Sequence, residues 1–229
     1  MIFERCVSMK GITVKELFGD CGSLASELLE SVTYPFEALG KISEYIKKIG
    51  PSLDKSVYEQ KGENIWIARS AEVAPSASIT GPCIIGERTE VRHCAFIRGN
   101  ALVGNDCVVG NSTELKNVVL IGTVQVPHYN YVGDSILGFH SHMGAGSITS
   151  NVKSDKTLVV IKSGDEKLPT GLKKMGAILG DYVEVGCGSV LNPGTIIGKN
   201  TNIYPLSMVR GVIPENSIYK KHGEIAKKR

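Results

Sequence analysis

The sequence predicts a parallel β-helix made of six-residue repeats, and two observations lead to this prediction. The first is an aliphatic residue at every sixth position over one long stretch: Ile67, Val73, Ile79, Ile85, Val91, Ile97, Val103, Val109, Leu115 and Ile121. The second is the return of the same period further along the chain: Leu137, Met143, Leu179, Val185, Leu191, Ile197, Ile203 and Val209. A period of six fits neither an α-helix nor an isolated strand, but it fits a solenoid in which each hexad is a short strand and a bend. Three hexads would then close one triangular coil around a core of aliphatic side chains.

The repeat divides the chain into three parts. Residues 1–62 contain no hexads, and since a solenoid end must be covered, we expect them to form a helical cap or an oligomer contact. Their helical patterns lie at 13–18, 23–32 and 35–49. Residues 63–214 should form the β-helix, with an inserted loop near 151–174 that is rich in lysine and turn residues. Residues 215–229 should form a basic C-terminal tail.

Composition narrows the function classes. The 26 basic and 23 acidic side chains give a net charge of +3, which is too small and too scattered for a nucleic-acid-binding surface. No apolar run is long enough to span a membrane, and charged residues interrupt any signal peptide. The six cysteines form no CxxC pair and have no zinc-like spacing. We therefore expect a reduced, cytoplasmic protein that binds neither nucleic acid nor a membrane.

The first interruption of the repeat contains a candidate catalytic histidine. The phase slips by four residues between Ile121 and Leu137, and His128 lies within this stretch. Imidazole has a pKa near neutrality, which suits it to removing a proton from an amine or hydroxyl nucleophile. Asp134 could orient such an imidazole. Because functional residues concentrate where solenoid coils are interrupted, this stretch and the lysine-rich loop point to one site.

Two cations precede this stretch. Arg98 follows Ile97 and Lys116 follows Leu115, so each occupies the small-residue position of its hexad. They are 18 residues apart, one full coil, and should therefore stack directly above one another. Stacked cations either form a solvated ladder or bind an anion such as a phosphate.

Four segments resemble the acetyltransferase half of the bacterial glucosamine-1-phosphate acetyltransferase/uridylyltransferase family and its archaeal sugar-1-phosphate relatives. They are 114–117 (ELKN), 127–134 (PHYNYVGD), 144–151 (GAGSITSN) and 170–181 (TGLKKMGAILGD). The resemblance covers roughly residues 65–214, and it implies a left-handed β-helix and a homotrimer with sites between subunits. The nucleotidyltransferase half of that family has no counterpart in this sequence.

The resemblance also implies roles for individual residues. His128 corresponds to the general base that deprotonates the amino group of glucosamine 1-phosphate before it attacks acetyl-CoA, the acyl donor; no metal is required. Arg98 and Lys116 would hold the sugar phosphate, and Tyr131, His142, Asn151 and Lys156 would also contact the substrate. Ala145 and Cys187 would lie along the CoA, with Lys220 and Lys221 in the basic tail as further cofactor-binding candidates. The expected reaction is N-acetylation of an amino-sugar 1-phosphate in UDP-N-acetylglucosamine-type precursor synthesis.

Several departures from the family keep alternatives open. His142 replaces an asparagine, Val152 replaces a tyrosine and Cys187 replaces a serine. The acceptor could therefore be another amino sugar or a nucleotide-linked amino sugar, and a non-catalytic subunit is a further alternative. A zinc enzyme of the γ-carbonic anhydrase type would need three converging histidines, for which the sequence offers four candidates: His93, His128, His140 and His142.

Overall fold

The computed structural model describes residues 9–19, 22–220 and 223–228, and most of them form a left-handed parallel β-helix of about nine turns. The strands stack into three faces. Face 1 contains β2 (Ile65–Ala68), β5 (Cys83–Ile85), β8 (Ala101–Val103), β17 (Ala177–Leu179), β20 (Thr195–Ile197) and β23 (Val212–Ile213). Face 2 contains β3 (Glu72–Val73), β6 (Glu90–Val91), β9 (Val108–Asn111), β11 (Gln125–His128), β13 (His142–Met143), β18 (Glu184–Val185), β21 (Asn202–Ile203) and β24 (Ser217–Tyr219). Face 3 contains β4 (Ser78–Ile79), β7 (Phe96–Ile97), β14 (Ile148–Thr149), β19 (Val190–Leu191) and β22 (Met208–Val209).

Two longer strands turn the corner between faces 3 and 1. These are β10 (Glu114–Leu120) and β12 (Tyr131–Leu137), which pair with each other in parallel. Within the described ranges, three antiparallel pairings complete the sheets. The strands involved are β1 (Tyr58–Gly62) on β2, β25 (Ile225–Lys227) on β24, and the hairpin of β15 (Val160–Ser163) with β16 (Glu166–Pro169).

The interior of the solenoid confirms the six-residue prediction over most of its length. From Ile85 onward the hexad residues other than Ile121 are buried in one continuous core that extends to Tyr219, five residues past the predicted end of the β-helix. Val73 in the first coil is 36% exposed. It belongs to the end of the solenoid, where no earlier coil lies beneath it.

The structure places the phase slip at the corner between faces 3 and 1. Val103 aligns with Leu120, and Leu120 with Leu137, so these two coils have 17 residues instead of the 18 of a regular coil. Each is shortened by one residue inside β10 or β12. The sequence analysis was therefore wrong about Ile121, which packs outside the coil in a second apolar cluster. His128 lies in a regular hexad, not in an irregular stretch.

The N-terminal segment packs along face 1. Its helices are shorter than the sequence patterns: α1 (Val14–Leu17), α2 (Ser26–Glu30), a 3₁₀ helix (Pro35–Ala38), α3 (Ile42–Ile49) and a second 3₁₀ helix (Gly50–Ser52). Their apolar side chains meet the outward-facing row of face 1, which is Trp66, Ile84, Leu102, Val119, Ile136, Ile178 and Ile196. This second cluster spans most of the length of the solenoid, so the segment covers a side of the prism, whereas we expected a cap over an open end or an oligomer contact. We call it the N-terminal layer.

The inserted loop joins the same cluster. Its hairpin, β15 and β16, follows Asn151, and Val159, Ile161 and Met175 are fully buried against face 1. Among the described residues no helix is long and apolar enough to cross a membrane.

Candidate active site

The corner between faces 2 and 3 stacks four candidate residues and Asn111. Strand pairing places His93, Asn111, His128, Ala145 and Cys187 above one another in successive coils. The residue after each of them has φ between 52° and 69°, the left-handed region. This conformation bends the chain round the corner and leaves the preceding residue outside the core. The column follows the axis of the solenoid and forms an exposed edge.

His128 ends β11 at this edge. Its side chain is exposed, and it makes no hydrogen bond or ion pair with any described residue. Its main chain is held by two hydrogen bonds: Asn130 Oδ1 accepts from the His128 N–H at 3.1 Å, and the Gly146 N–H donates to the His128 carbonyl at 3.0 Å. The backbone position is thus fixed while both ring nitrogens remain available to a ligand. Asp134 does not orient this imidazole, because it lies at another corner.

Ala145 and Cys187 continue the column above His128. The Ala145 carbonyl accepts from the N–H of Gly188 at 2.9 Å, but the N–H of Ala145 has no partner among the described residues. An exposed main-chain N–H one coil from a free imidazole can donate to a developing oxyanion. The thiol of Cys187 is exposed beside it.

Arg98 and Lys116 lie at the corner between faces 3 and 1. The pairing of Ile97 with Leu115 puts them in adjacent coils, as their 18-residue separation predicts. Both are already paired with carboxylates: Arg98 Nη1 lies 2.6 Å from Glu114 Oε1, and Lys116 Nζ lies 2.9 Å from Asp134 Oδ1. The hydrogen bond from Arg98 to Glu114 and the charge of Glu114 raise the pKa of the guanidinium.

Tyr131 and Asn151 meet the same corner. The Asn151 Nδ2 donates to Tyr131 Oη at 3.2 Å and to Asp134 Oδ2 at 2.5 Å. A Cβ on Gly133 would lie 2.5 Å from Tyr131 Oη, so glycine at this position lets the phenol fold toward the corner. Burial, and then the negative charges of Asp134 and Glu114, raise the pKa of Tyr131, so the phenol keeps its proton at neutral pH.

The structure therefore groups the four candidates Arg98, Lys116, Tyr131 and Asn151 at one corner, together with three residues that sequence reasoning did not assign to substrate binding: Glu114, Asn117 and Asp134. The 18-residue period would put Asp134 level with Lys116, but in the shortened coil Lys116 is level with Gly133 and Asp134 is level with Asn117. The two groups of candidates lie at the two edges of face 3.

Other candidates lie elsewhere. His142 is on face 2, where its Nδ1 lies 2.8 Å from Glu184 Oε2. Lys156 is exposed in the loop after Asn151, and its ammonium has no partner among the described residues. Lys220 pairs with Glu224 at 3.1 Å in the turn between β24 and β25, while Lys221 lies outside the described residues.

The four histidines do not converge. The His93 Nδ1 lies 2.6 Å from Ser76 Oγ, and His140 stacks on Tyr182 with ring centroids 5.5 Å apart. Within the part of the chain that the structure describes, no three His, Cys, Asp or Glu side chains are grouped so that they could hold a metal ion.

A cavity of about 650 Å³ lies beside Asn151, between the hairpin and the corner of faces 3 and 1. Ser150 and Val152 line it near the site, and Lys162 and Arg210 line it further along. Neither of these two cations has an ion-pair partner among the described residues.

Comparison with known proteins identifies similar chains. The family model described as GMPPB C-terminal domain matches residues 79–218. "Bifunctional protein GlmU" of Methanococcus aeolicus is 33% identical over 209 residues, which are 82% of this chain and 50% of that protein. "Bifunctional sugar-1-phosphate nucleotidylyltransferase/acetyltransferase" of Sulfurisphaera tokodaii is 30% identical over 105 residues, 46% of this chain and 26% of that protein. The chain thus spans about half or less of the length of these curated relatives.

Among solved structures, PerB from Caulobacter crescentus, described as in complex with CoA and GDP-perosamine, has a TM-score of 0.37 and 18% identity. The match covers 71% of this chain and 56% of that one.

Proposed function

The chain belongs to the GMPPB C-terminal domain family, and from this premise we propose that it is a CoA-dependent acyltransferase that N-acetylates an amino-sugar 1-phosphate of the glucosamine 1-phosphate type. The observation that carries the proposal is that two groups of candidate residues lie at the two edges of face 3. The His128 side chain and the Ala145 N–H, which have no partner among the described residues, lie one coil apart, and a cationic, hydrogen-bonding cluster lies at the opposite edge. The Sulfurisphaera tokodaii relative is named a sugar-1-phosphate nucleotidylyltransferase/acetyltransferase, which supports acetyl transfer to a sugar phosphate. We also propose that the reaction belongs to UDP-N-acetylglucosamine-type precursor synthesis.

In the proposed reaction, the acceptor reacts as its neutral amine. The amine nitrogen attacks the thioester carbonyl of acetyl-CoA, the His128 imidazole accepts the one proton that this nitrogen loses as the C–N bond forms, and the Ala145 N–H donates to the resulting oxyanion. The C–S bond breaks as the intermediate collapses, and the proton held by His128 passes to the CoA thiolate. The products are an N-acetyl amino sugar phosphate and free CoA.

The acceptor phosphate would bind at Arg98 and Lys116. Each cation would exchange or share its present carboxylate partner, Glu114 or Asp134, with the phosphate oxygens. Tyr131 and Asn151 would contact the sugar, with Lys156 brought in by the loop. CoA would follow the exposed column past Cys187, in the direction of Lys220 and Lys221.

The test is release of the CoA thiol from acetyl-CoA with a panel of amino-sugar 1-phosphates. We expect His128→Ala to lower kcat by about 10²–10⁴-fold, the usual contribution of a general base. His93→Ala is the matched control, since His93 occupies the same column two coils away, and it should retain the wild-type rate. Unchanged turnover in His128→Ala would remove the histidine from the mechanism. No turnover with any amino sugar, together with copurified zinc, would favour the metal enzyme.

A second acceptor class is favoured by the cavity beside Asn151. Lys162 and Arg210 could hold additional phosphate or the nucleoside part of a nucleotide-linked amino sugar. In that case Arg210→Ala should lower kcat/KM for the nucleotide-linked acceptor and leave that for the 1-phosphate unchanged. An equal effect on both would remove this alternative.

We further propose that the active protein is a homotrimer. The N-terminal layer covers face 1, whereas face 3 exposes apolar side chains, with Phe96 40% and Met208 62% exposed. Apolar surface of this kind is typical of subunit contacts. Analytical ultracentrifugation tests the trimer, and a monomer at assay concentrations would contradict it. A cytoplasmic location stays a prediction.

A further inference from the structure

Asp134 is the centre of the polar cluster at the corner of faces 3 and 1. Its carboxylate is 4% exposed and receives four hydrogen bonds. Lys116 Nζ donates to its two oxygens at 2.9 and 3.2 Å, Asn117 Nδ2 donates at 3.0 Å, and Asn151 Nδ2 donates at 2.5 Å. A buried carboxylate needs such partners, so the groups that donate to it are held in fixed positions.

The hydrogen-bonding roles within this cluster are determined by Asp134. An ionised carboxylate only accepts, so Asn151 must turn its amide nitrogen toward Asp134 and its Oδ1 away. The second amide hydrogen of Asn151 is donated to Tyr131 Oη, which leaves the phenolic hydrogen of Tyr131 without a partner among the described residues. The corner therefore presents one acceptor, Asn151 Oδ1, and one donor, the Tyr131 hydroxyl.

We propose that Asp134 is a positioning residue for acceptor recognition: it holds Lys116 in place for a phosphate and fixes Asn151 as an acceptor and Tyr131 as a donor toward a sugar. This inference rests on the proposed function, and it adds that the ligand carries both an anionic group and a hydroxyl or amine. An ammonium has three hydrogens, so Lys116 can stay on Asp134 and still donate to a phosphate oxygen.

The tightened corner supports this assignment. The two coils that are one residue short are shortened beside Lys116 and beside Asp134, and both Asn117 and Asp134 adopt left-handed conformations, with φ of 55° and 48°. Because of this shortening, Asp134 is level with Asn117, whereas a regular coil would put it level with Lys116. The irregular geometry of the repeat thus coincides with the convergence of donors on one carboxylate.

The first experiment measures binding of glucosamine 1-phosphate by calorimetry and its acetylation kinetics in Asp134→Asn. An asparagine offers one acceptor oxygen and a competing NH₂, so Lys116 and Asn151 lose their orientation. We expect Kd and KM for glucosamine 1-phosphate to rise about 10–100-fold, the worth of one charge-assisted hydrogen bond, while KM for acetyl-CoA is unchanged. Asp106→Asn is the matched control, since Asp106 also has a left-handed conformation, φ 57°, but pairs with Arg88 on the surface. It should bind like the wild type.

A second pair of variants covers the case in which Asp134→Asn does not fold. Asn151→Asp places a second carboxylate against Asp134 and draws the Tyr131 proton to itself, so acceptor binding should again weaken about tenfold or more. The exchange variant Asp134→Asn/Asn151→Asp keeps an amide–carboxylate pair between the two positions, but it removes the carboxylate from Lys116 and the amide hydrogen from Tyr131. It should therefore bind the acceptor no better than Asn151→Asp. Equal binding in wild type, Asn151→Asp and the exchange variant would overturn the inference.

The two proposals fail differently. Wild-type protein that binds glucosamine 1-phosphate but releases no CoA contradicts the proposed function and leaves the role of Asp134 intact. Wild-type acetylation with an unaltered acceptor KM in folded Asp134→Asn contradicts the role of Asp134 alone.

Discussion

The four cysteines that the structure describes differ sharply in their surroundings. Cys83 and Cys107 are fully buried in the solenoid core, and burial raises the pKa of each thiol to about 12. Cys94 and Cys187 are exposed at the edge between faces 2 and 3. Because the thiolate is the reactive form, the buried pair should be inert in the native protein.

This difference gives a labelling experiment for the cofactor site. A thiol reagent applied to the native protein should modify Cys94 and Cys187 but neither buried cysteine, as read by mass spectrometry of the peptides. CoA should protect Cys187, which lies in the column of Ala145, and should leave Cys94, four coils from Cys187, reactive. Equal labelling of Cys187 with and without CoA would place the cofactor elsewhere.

At the residue scale, the sequence predicted the positions of the site residues better than their hydrogen-bond and ion-pair partners. The stacking of Arg98 on Lys116 followed from their separation, because a regular coil has 18 residues and residues 18 apart therefore lie level in adjacent coils. Their carboxylate partners were not predicted, because the repeat period determines which residues lie level in adjacent coils but not the conformation of a long side chain. Asp134 was not expected to lie away from His128, because its position depends on a coil that is one residue shorter than the regular repeat.

At the scale of elements, the main feature is the second apolar cluster between face 1 and the N-terminal layer. A pattern in the sequence indicates this second cluster. Strands of face 1 carry three consecutive apolar residues, as in Cys83–Ile85 and Ala101–Val103, whereas a strand buried on one side alternates. The hexad pattern predicted the inward-facing row of core side chains, but it carried no information on the outward-facing row of face 1. The covering helices were recognised, but their shortness and their place on a side face required tertiary contacts.

The second cluster should contribute to stability like an ordinary core. Val119 is fully buried beneath the layer, so Val119→Ala should lower the free energy of unfolding by about 2 kcal/mol. Val108→Ala is the matched control, because Val108 also points outward from a strand but is only partly buried on face 2. In urea denaturation, Val108→Ala should lower the free energy of unfolding by well under half as much as Val119→Ala. Equal losses would mean that the layer contributes little to the stability of the solenoid.

At the scale of the whole molecule, one carboxylate joins the layer to the solenoid. Asp181 Oδ2 accepts from the Gly19 N–H at 2.7 Å, and its Oδ1 accepts from the Phe139 N–H at 2.8 Å. Burial raises the pKa of Asp181, while the two N–H donors and Lys199 oppose that rise. The native state therefore binds this proton more readily than the unfolded chain does.

The sign of the pH dependence follows from linkage. For an acid whose native pKa is raised, the contribution to stability is fully present below the unfolded pKa and is lost as pH rises through the native pKa. The difference in the free energy of unfolding between wild type and Asp181→Asn should therefore decrease from acidic to neutral pH, by about 1.4 kcal/mol for each unit of pKa shift. Urea denaturation of both proteins across this range measures it. A constant difference would show that Asp181 titrates alike in both states.

The chain contains a single tryptophan, and it lies between the two layers of the molecule. Trp66 is 6% exposed, with its ring against the backbone of Gly50 at the end of α3. Its emission should consequently report the departure of the helices from the prism, whereas far-ultraviolet circular dichroism follows the strands. If the two signals change at different denaturant concentrations, the helices form a cooperative unit of their own. The protein thus carries an intrinsic fluorophore at the seam where any such separation would begin.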